Sequence, residues 1–373
     1  MKNSSSRQAL SDVAHNAPRS TTRRIMLGGV AIGGGAPVTV QTMADTDTRD
    51  VEGTVACIKQ VMEAGCDIVR LAVPDSEAAA ALVEIRKRTE GVPLVADIHF
   101  DWRLAMLSLE AGLDGLRINP GNIGGPEKVR AVAEAAKKRR VPIRIGVNGG
   151  SLEPALLLKY GGATPEALVE SAMGHVAMLE AVDFGDIKIS VKASDVLRTV
   201  AAYRLLSSRT RYPLHLGLTE AGTFLAGTVR SSVAIGILLA EGIGDTVRVS
   251  LTDTPLKEVA AGQELLRCLK LRAPGPNVTS CPTCGRTRAD VVNTATAVEA
   301  ALEKLYKDNP TAARVHVAVM GCVVNGPGEA RDADIALVGG SGFFYLYVKG
   351  KRVSKHPEGE ATQAVVDAVR KFK

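Results

Sequence analysis

The chain has 373 residues, two to three times a typical domain of ~150, with 46% hydrophobic and 23% charged residues, the balance of a soluble globular enzyme. Aromatic residues make up only 3%, too few for a single-strand nucleic-acid binder that stacks bases on rings. Residues 1–24 hold five basic groups against Asp12, so +4 of the net +6 sits in that tail; the near-neutral remainder argues against nucleic acid as a partner, and no apolar run approaches the ~20 residues of a membrane span.

In chain order, the Ser/Asn/Arg-rich stretch 1–24 reads as a disordered tail. Thr22-Arg23-Arg24 ahead of an apolar stretch looks superficially like a twin-arginine export signal, but Gly28-Gly29 and Gly33-Gly34-Gly35 interrupt it. Ile25–Leu27 and Val30–Ile32 around Gly-Gly predict a hairpin instead, and a cytoplasmic location is expected. From Val38 one theme repeats: a strand-length apolar run, a polar or Gly loop, then a helix-patterned stretch. The strands are Val38–Met43, Asp67–Val73, Pro93–Phe100, Gly115–Asn119, Pro142–Val147, Asp186–Val191, Pro213–Leu218 and Asp245–Leu251. The helical stretches include Val51–Ala64, Ser76–Thr89, Glu127–Lys138, Thr164–Ala181 and Pro255–Leu271. Eight such units predict a (β/α)8 TIM-type barrel over 25–271; neither G-x-G-x-x-G nor a P-loop speaks for an open doubly wound sheet. The Pro/Gly linker 272–276 leads to a small α/β domain over 277–373. Its predicted elements are Asn277–Ser280, a helix around Asp290–Lys307, strands at Val315–Val319, Ile335–Val338 and Phe343–Val348, and a helix at Gly359–Phe372.

Polar residues at i, i+2 within the strand runs point to one side and, in a barrel, converge on the mouth. Such pairs are Asp97 and His99, Arg117 and Asn119, Ser190 with Lys192, and Arg248 with Ser250, and Arg144, Gly146 and Asn148 form a longer row; Arg70 and Glu220 stand at similar strand ends. Any one of these charges could be a buried ion pair or a strand-end group reaching solvent. Together, five cations (Arg70, Arg117, Arg144, Lys192, Arg248) against two acids (Asp97, Glu220) cannot all pair internally, which points to a polyanionic ligand. The loop Asn122–Pro126 before a helix could add backbone N–H groups to a phosphate.

Cys57, Cys66 and Cys268 read as packing residues, whereas Cys281-Pro-Thr-Cys284 has metal-ligand spacing and Cys322 follows a strand. Zinc would need a fourth ligand, for which the region offers only His316. Three thiolates without an obvious fourth suit an iron–sulfur cluster with one iron held differently. A turn at Asn325–Gly328 could bring Glu329 near Cys322; by spacing alone, ligand and solvated turn acid stand level.

Taken whole, Val95-Ala-Asp-Ile-His-Phe100, Arg117-Ile-Asn-Pro-Gly-Asn-Ile-Gly124, Pro142-Ile-Arg-Ile-Gly-Val-Asn148, Ser190-Val-Lys-Ala-Ser-Asp195, His215-Leu-Gly-Leu-Thr-Glu-Ala-Gly222, Cys281-Pro-Thr-Cys284 and Gly321-Cys-Val-Val-Asn-Gly-Pro-Gly-Glu329 closely resemble the 4-hydroxy-3-methylbut-2-enyl diphosphate synthase family in its short, two-domain bacterial form. The resemblance runs from about Thr21 to the last helix. It implies an oxidoreductase of the non-mevalonate isoprenoid pathway that opens and dehydroxylates 2-C-methyl-D-erythritol 2,4-cyclodiphosphate. By motif it implies a 4Fe-4S cluster on Cys281, Cys284, Cys322 and Glu329, and diphosphate binding by Arg70, Arg117, Asn119, Arg144, Asn148, Lys192, Arg248 and Ser250. Asp97, His99 and Glu220 would lie near the reacting carbons, with Glu220 the proton donor. Flavodoxin or ferredoxin would supply electrons to a homodimer. One departure stands out: strand 1 ends Gln41-Thr-Met-Ala-Asp45, where the family pattern leads one to expect Thr-Asn after the Met. A zinc-stabilised barrel acting on a phosphorylated sugar is the alternative reading.

Overall fold

A computed structural model of the chain describes residues 18–372 except 273, 274, 310, 313 and 325. The chain divides into two compact units that part at Arg272.

The first unit opens with the hairpin β1 (Ile25–Leu27) and β2 (Val30–Ile32), paired as the Gly-Gly turn requires. Eight parallel strands follow: β3 (Thr39–Met43), β4 (Ile68–Val73), β5 (Leu94–Ile98), β6 (Gly115–Ile118), β7 (Ile143–Asn148), β8 (Ile187–Lys192), β9 (His215–Leu216) and β10 (Thr246–Val247). Their order is β8-β7-β6-β5-β4-β3-β10-β9, and a parallel bridge from Ile189 to Leu214 joins the two ends of the sheet into a ring. This is the expected TIM-type barrel. The strands are buried on both faces because inward side chains fill the interior and helices cover an apolar outer face. The helices start where local chemistry starts them: the side chains of Asp50, Asp75, Asp101, Thr164 and Asp195 each accept a hydrogen bond from a first-turn N–H. Each cap contributes about 1 kcal/mol.

The tail expectation needs correcting at its C-terminal end. Residues 1–17 lie outside the described residues, but Pro18–Thr21 form a 3-10 turn that is tied to the barrel. Arg19 N donates to Gly242 O (2.9 Å), and Thr22 Oγ1 donates to Asp245 Oδ1 (2.9 Å). Ile25, Leu27 and Ile32 pack on Ile68 and Val95, so the hairpin covers the N-terminal end of the barrel, opposite the mouth.

The second unit is a five-stranded sheet in the order β11 (Asn277–Ser280), β12 (His316–Met320), β13 (Ile335–Gly340), β14 (Phe343–Val348) and β15 (Lys351–Pro357). The first three strands are parallel and the last two antiparallel. Helices Val291–Asp308 and Glu358–Lys371 cover one face through Val298, Leu302, Val365 and Val369 against Val317, Leu337 and Phe344. The other face carries Ala318, Met320, Ala336 and Val338 under a short helix, Gly326–Asp332. Among the described residues no helix is long and apolar enough to cross a membrane.

Candidate active site

Strand register sets the polar groups in rows. Asp97, Arg117, Arg144 and Lys188 are paired neighbour to neighbour across β5–β8, so four inward charges meet in one band of the barrel. Above this band, a cavity of about 150 Å³ is lined by Arg70, Asp97, His99, Arg117, Arg144, Asn148, Lys192, Leu218, Thr219, Arg248 and Ser250. Nine of the eleven barrel residues expected from sequence therefore share one cavity at the C-terminal ends of the strands.

The five cations are poorly paired. Asp97 bridges Arg117 (Oδ1 to Nη1, 3.1 Å) and Arg70 (Oδ2 to Nε, 3.6 Å). Arg117 also donates to His99 Nε2 (2.7 Å) and Gly146 O (3.1 Å). Arg144 Nη1 donates to Ser190 Oγ (2.5 Å), and Lys192 Nζ lies 3.4 Å from His215 Nε2. Among the described residues, Arg248 Nε reaches only Glu258 Oε2, at 3.5 Å. Arg117 Nε and Arg144 Nε are buried without a hydrogen-bond partner among the described residues. Gly146 makes room for this crowding: a Cβ there would stand 2.6 Å from Arg117 Nε.

The electrostatics follow from burial. Removal from water pushes Arg117 and Arg144 down, and the other guanidinium groups push Arg144 further. Burial also drives Lys192 well below its ordinary value, with Arg144 and Arg248 adding to it. For Asp97, burial works upward, but Arg70, the His99 hydrogen bond and Arg117 outweigh it and hold the carboxyl far below the usual range. Such a cavity attracts an anion with several charges, because every buried unpaired cation costs several kcal/mol.

Two expected residues stand outside the lining. Asn119 Oδ1 accepts from Gly146 N (3.0 Å), which ties the end of β6 to β7. Glu220 is exposed next to the lining residue Thr219, and its φ of +53° places it in the left-handed region. The loop before Pro126 is likewise absent from the lining; Gly121 N donates instead to His175 Nδ1 (3.2 Å). Sequence reasoning missed Glu258, which accepts from Thr42 Oγ1 (2.7 Å) and Leu251 N (2.9 Å) while facing Arg248. It also missed Lys188, although the row Lys188, Ser190, Lys192 on β8 signals it.

In the second unit, β11 and β12 run parallel side by side, so Cys281 and Cys322 leave the same edge of the sheet. Gly321 N donates to Cys281 Sγ (3.3 Å), and Arg288 N donates to Gly321 O (2.8 Å), which folds the 281–288 loop against the 321 loop. Hydrogen bonds with Arg286 lower the exposed Cys284 thiol. The expected reversal at Asn325–Gly328 is corrected: Asn325 lies outside the described residues, Gly326–Asp332 is helical, and Glu329 is exposed in its first turn. Among the described residues, no three His, Cys, Asp or Glu side chains converge as metal ligands. The donor set still fits an iron–sulfur cluster: three soft sulfurs stand on two adjoining loops, one already accepting an N–H as a bound thiolate does. It does not fit zinc with His316, which starts β12, contacts Thr279 and stands at the strand end away from Cys322. Of the remaining cysteines, Cys66 is buried and desolvation pushes its thiol up to about 12, Cys57 is half-buried, and Cys268 is exposed rather than core.

Fold and site together define an anion-binding barrel enzyme with a small cysteine-bearing accessory domain. A family model described as the GcpE TIM-barrel domain matches residues 22–263, and one described as the GcpE protein C-terminal domain matches residues 277–371. The chain belongs to the GcpE family. It is 53% identical over 351 residues to a Ruminiclostridium cellulolyticum protein named 4-hydroxy-3-methylbut-2-en-1-yl diphosphate synthase (flavodoxin), covering 94% of this chain and 98% of that one. Proteins of the same name from Maridesulfovibrio salexigens (58% over 337 residues, 90% and 92% covered) and Geobacter sulfurreducens (54% over 354 residues, 95% and 98% covered) are similar throughout.

Proposed function

We propose that the protein reduces 2-C-methyl-D-erythritol 2,4-cyclodiphosphate to (E)-4-hydroxy-3-methylbut-2-enyl diphosphate in the non-mevalonate isoprenoid pathway, with flavodoxin or ferredoxin as electron donor. The observation that carries this reading is the cavity in which Arg70, Arg117, Arg144, Lys192 and Arg248 face only Asp97 and Glu258 as carboxylates among the described residues. The family and its relatives' names supply the chemistry to match it.

The conversion consumes two electrons and one proton: the ring C–O bond to phosphate and the neighbouring C–OH bond break, a C=C bond forms between the two carbons, and the hydroxyl leaves as water. Cys281, Cys284, Cys322 and Glu329 would hold a 4Fe-4S cluster, which supplies electrons one at a time. The barrel's part is binding and proton control. Arg117 and Arg144 offer buried N–H groups with no other partner to the diphosphate, and Arg70, Lys192 and Arg248 surround it. Asp97 stays ionised and keeps Arg70 and Arg117 in place when the cavity is empty. Asn148 and Ser250 orient the sugar-derived carbons, and His99, at the lip, lies near the reacting hydroxyl. Glu220, placed beside the cavity in a strained conformation, delivers the proton once the site closes. Asn119 acts indirectly, by fixing Gly146. The reading includes a homodimer and a cytoplasmic location, both resting on the family resemblance.

The test is anaerobic purification followed by turnover with reduced flavodoxin and the cyclic diphosphate. Brown protein with iron, acid-labile sulfide and product formation is expected. Colourless protein with one stoichiometric zinc and no reduction would overturn the reading in favour of a zinc-stabilised barrel.

A further inference from the structure

We infer that Lys188 is a sixth cation of the diphosphate site, stored uncharged beneath the cavity and charged by proton uptake when a diphosphate enters. The inference rests on the anion-binding reading above. Residues at i, i+2 and i+4 of a strand share a face, so Lys188, Ser190 and Lys192 form one inward row on β8. Lys192 lines the cavity and Ser190 Oγ takes a hydrogen bond from Arg144, while Lys188 stands four residues, about 13 Å of strand, further down. The residue is 2% exposed, and its Nζ has no hydrogen-bond partner among the described residues. A charged amine left unpaired in such a place is costly, whereas a neutral one is tolerated.

The groups facing it explain the balance. Arg144, its register partner on β7, and Arg70 on β4 repel a charge at Nζ, and His215 on β9 is held neutral beside it. Asp245, ahead of β10, attracts one, but both its oxygens are engaged, by Thr22 Oγ1 (2.9 Å) and Leu214 N (2.8 Å). Burial and the two guanidinium groups, opposed by Asp245, bring the amine down to about 7. An entering diphosphate neutralises the cations above Lys188 and adds negative charge of its own, which favours the ammonium form. The gain is reversible. An empty cavity is spared one more like charge, and a filled one acquires it.

Isothermal titration calorimetry with inorganic pyrophosphate at pH 8, in buffers of different ionisation enthalpy such as Tris and HEPES, counts the protons taken up on binding. The wild type is compared with Lys188→Arg, which is charged at all times. The ligand's own protonation cancels in that comparison. The variant is expected to bind within ~10-fold of wild type and to take up ~0.5 or more fewer protons per site. Equal uptake in both proteins overturns the inference. If Lys188→Arg fails to fold by circular dichroism, Lys188→Met replaces it: lost uptake with ~10-fold weaker binding supports the inference, and unchanged uptake ends it. Pyrophosphate that does not bind the wild type is a different result, and removes the diphosphate reading itself.

Discussion

Replacing Asp97 by Asn keeps the shape of the side chain and removes the carboxylate that Arg70 and Arg117 share. At separations of 3.6 and 3.1 Å and an effective dielectric constant of about 20, the two attractions together amount to ~10 kcal/mol before desolvation. Desolvation offsets much of this, and removing one partner of a buried pair costs ~3–5 kcal/mol in measured cases. For a barrel of this size that is a fall in Tm of roughly 10 °C. The carboxyl is held below its unfolded value, so its contribution is present above about pH 4 and is lost only on further acidification. The difference between wild type and Asp97→Asn is therefore expected to persist from pH 5 to 8. Thermal unfolding followed by circular dichroism, with and without pyrophosphate, measures it. Pyrophosphate is expected to raise the Tm of the variant more than that of the wild type, because it supplies the missing negative charge. A variant melting within 2 °C of wild type without ligand would refute the account of Asp97 as the acid that balances Arg70 and Arg117.

The other predictions concern separate parts of the molecule. Arg144→Ala should weaken pyrophosphate binding by ~2–5 kcal/mol in calorimetry while leaving iron content unchanged; equal affinity would make the strand-end cations structural. Glu220→Gly should stabilise the fold by ~1 kcal/mol through relief of the positive φ, yet lower turnover ~100-fold, as should Glu220→Gln; normal rates in both would transfer proton delivery to another group. Cys281→Ser should lose most iron, whereas Glu329→Cys should keep it and lose turnover, as iron analysis and rates would register; wild-type turnover in Glu329→Cys would end its role as the displaceable ligand. Burial raises Asp245 to about 6, despite opposing bonds from Leu214 and Thr22. Its folded value lies above its unfolded one, so its stabilisation is complete below about pH 4 and lost as pH rises through 6. Relative to Asp245→Asn, the wild type should lose ~3 kcal/mol between pH 4 and 7 in denaturant titrations.

Much of this was legible in the chain because strand alternation is a local signal. The i, i+2 rows gather Asp97 with His99 and Arg144 with Asn148 without any knowledge of partners, and the barrel delivers them to one cavity. What escaped was set by burial and by pairing across the chain. Glu258 reads as a first-turn helix acid, and only the fold puts it against Thr42 and Arg248. Lys188 shares the inward row of Ser190 and Lys192, but only the fold shows how deeply it is buried below them. The strand at Lys351–Pro357 has one aliphatic residue, Val353, and owes its existence to pairing with β14 rather than to an apolar face of its own. The runs at Pro213–Leu218 and Asp245–Leu251 narrow to two paired residues each, and later residues of both, Leu218, Arg248 and Ser250, line the cavity. The Gly-Pro-Gly sequence suggested a turn, but capture of Ala330 and Ala333 beneath the sheet makes that segment helical instead.

The hairpin packs across the N-terminal end, and the charged cavity lies at the opposite end, at the mouth. Substrate and product then meet the same cations at that mouth. A diphosphate product holds the same cations as the diphosphate it came from, so each cycle waits on its departure. Product therefore competes directly with fresh substrate for these cations, and its release is a step that each cycle must complete.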